Sequence, residues 1–260
     1  MELDGRAAQG GNELLAISHN ANVSDGAMYP TDADTTTGRP IDAAWAETRM
    51  RNERLVEIKQ GKGQSETHPL LSPNYELYQT LLGLPANVGR IDRITGSYGR
   101  QALKDGIAMQ DVRGYNPYKF GMAGGSDSHN TGSPYRQDNF FGLHADADGS
   151  VERRFAGVLV GGTMDVRLEN PGGLTGVWAE ENTRASLWDA MHRKETFGVS
   201  GPRIKVRLFG GWGYDKDIVK ASDWVKQSYA GGGPMGADAL RGERHGAELR
   251  RLGVEGPDVG

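Results

Sequence analysis

The chain has 260 residues, enough for one barrel-sized domain or two small ones, so burial of a core is not limiting. A net charge of −4 and the lack of any Lys/Arg run argue against a nucleic-acid surface, and no apolar stretch is long enough to span a membrane. Cysteine is absent, which excludes disulfides, thiolate metal sites and cysteine nucleophiles.

A hydrophobic fraction of 37% with 39 glycines suits a loop-rich enzyme or a domain cut from a larger one. The N-terminal residues carry no basic-then-apolar signal sequence, so localisation stays open. Leu14-Leu15-Ala16-Ile17 reads as a buried strand running into Ser18-His19-Asn20. The Gly-, Pro- and Thr-rich stretch from Asp25 to Pro40 reads as loop, and Ala43 to Asn52 as a short helix. Leu55-Val56-Glu57-Ile58 reads as a second strand, with Glu57 on the face opposite Val56 and Ile58.

Between Ser72 and Gln110 apolar residues recur at helical spacing, as at Ala102, Leu103 and Ile107. Tyr118 to Ala123 reads as a strand that runs into Gly124-Gly125-Ser126-Asp127-Ser128-His129, and Tyr135 to Gly173 as irregular. A helix is expected to start at Asn182 or Thr183 and to carry Leu187, Trp188 and Met191. Ile204, Val206 and Leu208 alternate with Lys205 and Arg207, the pattern of a half-buried strand. Alternating strands and helices favour an α/β layer or barrel.

Three polar clusters follow or lie in apolar strands: Ser18-His19-Asn20, the segment around Glu57, and Asp127-Ser128-His129. Sites in α/β folds form outside the carboxyl ends of strands. If the last strand continues through Asp127 and His129, both side chains point the same way, and the glycine pair before them permits close approach of the backbone. Each residue also has a plainer reading. The Asp127/His129 pair suits a turn or helix cap, His19 a hydrogen-bonded loop histidine, Glu57 an exposed strand face, and His68 a loop end. His144, His192 and His245 read as structural or solvated.

Several long strings carry a family resemblance: LAISHNAN (Leu15 to Asn22), LVEIKQGKGQSETHP (Leu55 to Pro69) and NPYKFGMAGGSDSH (Asn116 to His129). DNFFG (Asp138 to Gly142), VWAEENTR (Val177 to Arg184), SGPR (Ser200 to Arg203) and FGGW (Phe209 to Trp212) continue it in the same order. The sequence resembles domain of unknown function 3604, a branch of the PHP superfamily of metal-dependent phosphoesterases. The resemblance implies an α/β fold, here an incomplete, distorted β/α barrel of PHP type lacking its first strands. It implies a divalent metal (zinc, manganese or iron) and hydrolysis of a small anionic ester.

On that resemblance His19 matches the histidine of a P-H-N-G-N motif, and Asp127 and His129 match a T-D-T-H motif. Asp127 and His129 are the implied catalytic pair; His19, Asp127, His129, Glu57 and His68 are the implied metal ligands. Arg184 and Arg203 match recurring arginines that would hold an anionic substrate by forked hydrogen bonds, with surface or helix-capping arginine as the alternative. Two departures stand out. The family's opening G-D-x-H-x-H-T strand has no counterpart before Leu14, and Ala21 replaces a glycine whose backbone geometry Ala does not easily take. Residues 1–13 are therefore expected to be a leader, 14–238 a partial hydrolase domain, and 239–260 an unrelated, frameshifted tail. The expectation is a hydrolase fragment with little activity alone, or else a non-catalytic remnant or anion-binding module. A homo-oligomer covering exposed strand edges belongs to the same expectation.

Overall fold

A computed structural model describes residues 14–72, 91–129, 149–156, 159–160, 164–165, 172–238 and 248–254. The DNFFG string, His144 and His245 lie outside them. The fold is mixed α/β, built from several small sheets, and among the described residues none closes into a barrel.

The sheet that positions the polar clusters is centred on β2 (Leu55–Gln60). Parallel to it run β1 (Ile17–Ser18), with Ile17 opposite Leu55, and β4 (Gly121–Gly124), with Gly121 opposite Leu55. The short β3 (Gly63–Gln64) folds back antiparallel on the end of β2. The carboxyl ends of three parallel strands thus share one edge. Leu55 and Val56 are buried, whereas Leu14 and Ile17 are exposed, so the first strand is shorter and less buried than its apolar run predicts. Its run leads in from the sheet margin, and only Ser18 reaches the interior.

Helix α1 (Ala43–Asn52) occupies the expected residues, capped by Asp42, whose side chain accepts from the Trp45 N–H at 2.8 Å. Helix α2 (Gly99–Arg113) ends where Gly114 takes a left-handed conformation. It buries Ala102 and Met109 but leaves Ile107 exposed, contrary to its place in the apolar pattern. Both helices cover a core that includes Tyr29, Ile41, Val56, Tyr118 and Phe120. Tyr118 and Phe120 belong to this core ahead of β4, whose hydrogen-bonded strand begins only at Gly121.

Beyond β4 come α3 (Val151–Ala156) and the antiparallel pair β5 (Leu159–Val160) and β6 (Met164–Asp165), inside the stretch read as irregular. β7 (Leu174–Val177) pairs antiparallel with β8 (Thr196–Val199) around α4 (Arg184–His192). Thr183 caps α4, as expected, accepting from the Ser186 N–H at 3.3 Å. The last sheet centres on β9 (Lys205–Gly211), between β10 (Gly232–Pro234) and β11 (Glu248–Val254), with α5 (Trp224–Gly231) leading into β10. β11 pairs with β9 from Glu248–Gly211 to Val254–Lys205. Ile204 precedes β9 and is exposed; Phe209, buried against Trp224 and Tyr229, anchors this sheet instead.

One cation ties α1 to the main core. Arg49 is buried, with its guanidinium 5.5, 5.3 and 5.1 Å from the ring centres of Tyr29, Trp45 and Tyr118. Its Nε pairs with Glu53 at 2.5 Å, one turn later on the chain. Replacing Arg49 with Ala empties the aromatic cage and leaves Glu53 with the Ser18 hydroxyl, 3.3 Å away, but no cation. The expected cost is about 2–4 kcal/mol in urea unfolding; a change within about 0.5 kcal/mol would contradict this role.

Candidate functional site

The three polar clusters converge at the carboxyl edge of the β1–β2–β4 sheet. His19 follows β1 directly, and its Nδ1 lies 3.0 Å from Glu57 Oε1 on β2. Its Nε2 lies 3.2 Å from Asp127 Oδ1 in the loop after β4. His129 Nε2 approaches the same Asp127 oxygen at 3.5 Å. A neutral imidazole has one N–H and donates to one carboxylate; the imidazolium donates to both.

Local backbone features make this convergence possible. The register between β2 and β4 shifts between Glu57 and Lys59, a bulge of the kind that re-aims a strand side chain. Glu57 itself stays in register with Ala123, and the β1–β2 register sets it beside His19; its side chain is only 12% accessible, so Glu57 is not an exposed face residue. Asp127 has φ 56°, a left-handed conformation that Asp tolerates better than most residues. Asp127 and His129 therefore do not continue β4, as a straight strand would require; the loop brings them together instead.

Asn20, not Ala21, takes the left-handed conformation after β1, at φ 57°. Ala21 opens a short 3-10 turn (Ala21–Val23) and is fully buried, so glycine is not required there.

The glycine pair earns its place by close approach to protein groups. A Cβ on Gly125 would stand 2.7 Å from Glu57 Oε2, and one on Gly124 2.7 Å from the Leu174 carbonyl. Gly125 also bridges the neighbouring chains: its N–H donates to the Lys59 carbonyl at 2.9 Å, and its carbonyl accepts from Gly173 N–H at 2.6 Å.

A lysine that the sequence reading passed over completes the cluster. Lys62, on the turn between β2 and β3, pairs its ammonium with Asp127 Oδ2. Both side chains are buried, at 5% and 7% exposure, while His19 and His129 are about half exposed, at 48% and 55%. Buried ions are retained only when paired, and Asp127 is paired with Lys62 and approached by two imidazoles. Nearby, Lys59 is also buried, which lowers its ammonium pKa to about 8 against the opposing pull of Glu57, and it donates to the Gln60 carbonyl at 2.7 Å. The local signal for Lys62 was its place between Gly61 and Gly63, a tight turn at a strand end.

The other expected residues lie apart from these contacts. His68 accepts from the Leu70 N–H at 3.2 Å and packs its ring 5.7 Å from that of Tyr98; burial lowers its pKa. Arg184 is exposed at the first residue of α4. Arg203 is exposed and lines a cavity of about 400 Å³ with Thr175, Trp178 and Phe197. His192 packs on Trp188, in keeping with a structural reading.

Two imidazoles and two carboxylates in one contiguous group are the donor types that suit zinc, manganese or iron. As placed, they form a network of ion-pair contacts closed by Lys62, and among the described residues no three His, Asp or Glu side chains are disposed as a coordination shell. In chemical kind the donors fit a metal; in position they hold one another.

A mixed α/β domain with an imidazole–carboxylate cluster at the carboxyl edge of parallel strands is a common setting for an enzyme site. The family described as "Protein of unknown function (DUF3604)" matches residues 2–249, and the chain belongs to that family. No curated protein and no solved structure matches it.

Gly125→Ala is expected to push the Glu57 carboxylate away from His19. A crystal structure of the variant should show the His19–Glu57 contact lengthened, with a stability loss of about 1–3 kcal/mol. An unchanged contact would remove close approach as the reason for this glycine.

Proposed function

We propose that this chain carries part of a metal-dependent hydrolase site of the PHP phosphoesterase kind, within a distorted β/α barrel arrangement, acting on small anionic phosphoesters. One observation carries the reading: His19, Glu57, Asp127 and His129 meet at the carboxyl ends of three parallel strands. His19, Glu57, Asp127 and His129 are of the donor types that zinc, manganese or iron take, and holding one such ion would require them to rearrange from the network described above, with His68 taking no part. When bound, such an ion supplies charge stabilisation of the ester oxygen and acidifies a coordinated water.

The remaining work falls to side chains. Asp127, buried and oriented by two imidazoles, fixes the geometry of the group. His129, the more exposed imidazole, would either ligate the ion or give a proton to a departing alcohol oxygen. Arg203 and Arg184, both exposed, would attract an anionic substrate by their charge.

A second reading, a non-catalytic remnant, draws support from the Lys62–Asp127 pair, which takes up a carboxylate oxygen that a metal would use. Metal content of the purified chain, measured with hydrolysis of a phosphomonoester and a phosphodiester, separates the two. The hydrolase reading expects about one metal ion per chain, turnover abolished by a chelator, and kcat lowered about a hundredfold or more in His129→Ala. A folded protein that takes up no metal and turns over neither ester would leave the second reading.

A further inference from the structure

The sheet edge opposite the imidazole–carboxylate cluster carries a group of cations. Arg54 directly precedes β2, Lys119 stands two residues before β4, and Lys194 two residues before β8. Hydrogen bonds hold these strand starts together. The Gly121 N–H donates to the Arg54 carbonyl at 2.9 Å, and the Thr196 hydroxyl of β8 donates to the Met122 carbonyl of β4 at 2.7 Å. The Lys194 ammonium donates to the Lys119 carbonyl at 3.0 Å. With residues of α1 they line a cavity of about 490 Å³.

This cavity is electropositive in a chain whose net charge is −4. Arg51, Arg54, Lys119 and Lys194 line it, against the carboxylates of Glu47 and Asp238. Asp238 is taken by the Lys119 ammonium at 3.0 Å. Arg54 gives one long hydrogen bond, 3.3 Å to the His192 carbonyl, and its buried Nε has no acceptor among the described residues. A buried guanidinium N–H without an acceptor is costly, and an oxyanion relieves that cost. Lys194 is placed with backbone strain: its φ is 68°, a left-handed conformation that lysine seldom adopts and that often marks a functional position. Two glycines make room for its stem, since a Cβ on Gly121 would stand 2.8 Å and one on Gly236 2.5 Å from Lys194 Cβ. Burial lowers the Lys194 ammonium pKa; Asp238 pulls against this, while Arg54 and Lys119 add to it. An anion among these cations would offset both the burial and the mutual repulsion.

We propose that this cavity is a second binding site, for a small dianion of the phosphate or phosphomonoester class, with Arg54 and Lys194 as its main donors and Lys119 shared with Asp238. A forked guanidinium and two ammonium groups suit the oxygens of a phosphate. Met50 and Tyr115 also line the cavity and give an ester's organic group an apolar contact. The site does not depend on the hydrolase reading, because Asp127 and its partners lie at the carboxyl edge of the sheet and these cations at the amino edge.

The full-length chain is titrated calorimetrically with sodium phosphate, and separately with phenyl phosphate, at one pH and ionic strength. EDTA is present throughout, so that no metal-dependent binding contributes, and thermal melts verify folding. The expected result is one phosphate per chain, bound about tenfold or more weakly by Arg54→Gln and by Lys194→Gln. Lys226→Gln, at an exposed position on α5, should bind as wild type does. Asp238→Asn, also exposed, should bind phosphate about threefold more tightly, because it releases Lys119. Tighter binding of phenyl phosphate than of inorganic phosphate identifies an ester as the occupant, and equal binding identifies the inorganic ion. Absence of binding by folded wild type overturns the proposal, as does unchanged affinity in Asp238→Asn or in a folded Arg54→Gln or Lys194→Gln. A loss in Lys226→Gln equal to theirs would show diffuse charge attraction and overturn it as well. If neither of the Arg54 and Lys194 variants folds, Asp238→Asn decides alone.

Discussion

The Asp127 carboxylate is the point on which the candidate site depends. It is almost wholly buried, and its oxygens receive an ammonium from one segment and imidazoles from two others. A carboxylate in that position cannot remain charged without partners, because desolvation disfavours the ion. The segments after β1, after β2 and after β4 are therefore drawn to one place by the need to satisfy a single group. Remove that charge, and Lys62 loses its buried carboxylate while two histidines lose their common acceptor.

The sheet prepares this meeting without completing it. Parallel pairing of β1, β2 and β4 brings three strand ends to one edge and sets Glu57 beside His19, but a straight continuation of β4 would point Asp127 elsewhere. The left-handed Asn20 and Asp127 and the close seating of Gly125 against Glu57 complete the arrangement. Each is a departure from regular strand geometry, and irregular backbone commonly accompanies function. The same closeness that orients the donors also lets them bond to one another, which is why the cluster is a network closed by Lys62 and not an open shell.

Much of this was legible in the sequence. Helix α1, the start of α4 and the strand at Leu55 follow from capping residues and apolar patterning, which are local signals. The family resemblance pointed to His19, Asp127 and His129 as one group, and Glu57 joined them. What escaped notice depended on tertiary contacts. Nothing local marks Lys62 as buried, since lysines are ordinarily solvated, and only its pairing with Asp127 explains its place. His68 reads much like His19 in sequence, yet it serves Tyr98 and the Leu70 backbone. Ile107 and Ile204 fit apolar patterns but face outward, because periodicity reports which faces alternate and not which face finds a partner.

If Asp127 is the hub, the residues around it are energetically coupled and do not merely lie close. A double-mutant cycle on His19→Gln and Asp127→Asn, read by urea unfolding at neutral pH, tests this most directly. The account predicts a coupling of about 1 kcal/mol or more between the two positions, since either change alone already breaks the shared network. Additivity within about 0.3–0.5 kcal/mol, the behaviour of independent sites, would contradict it.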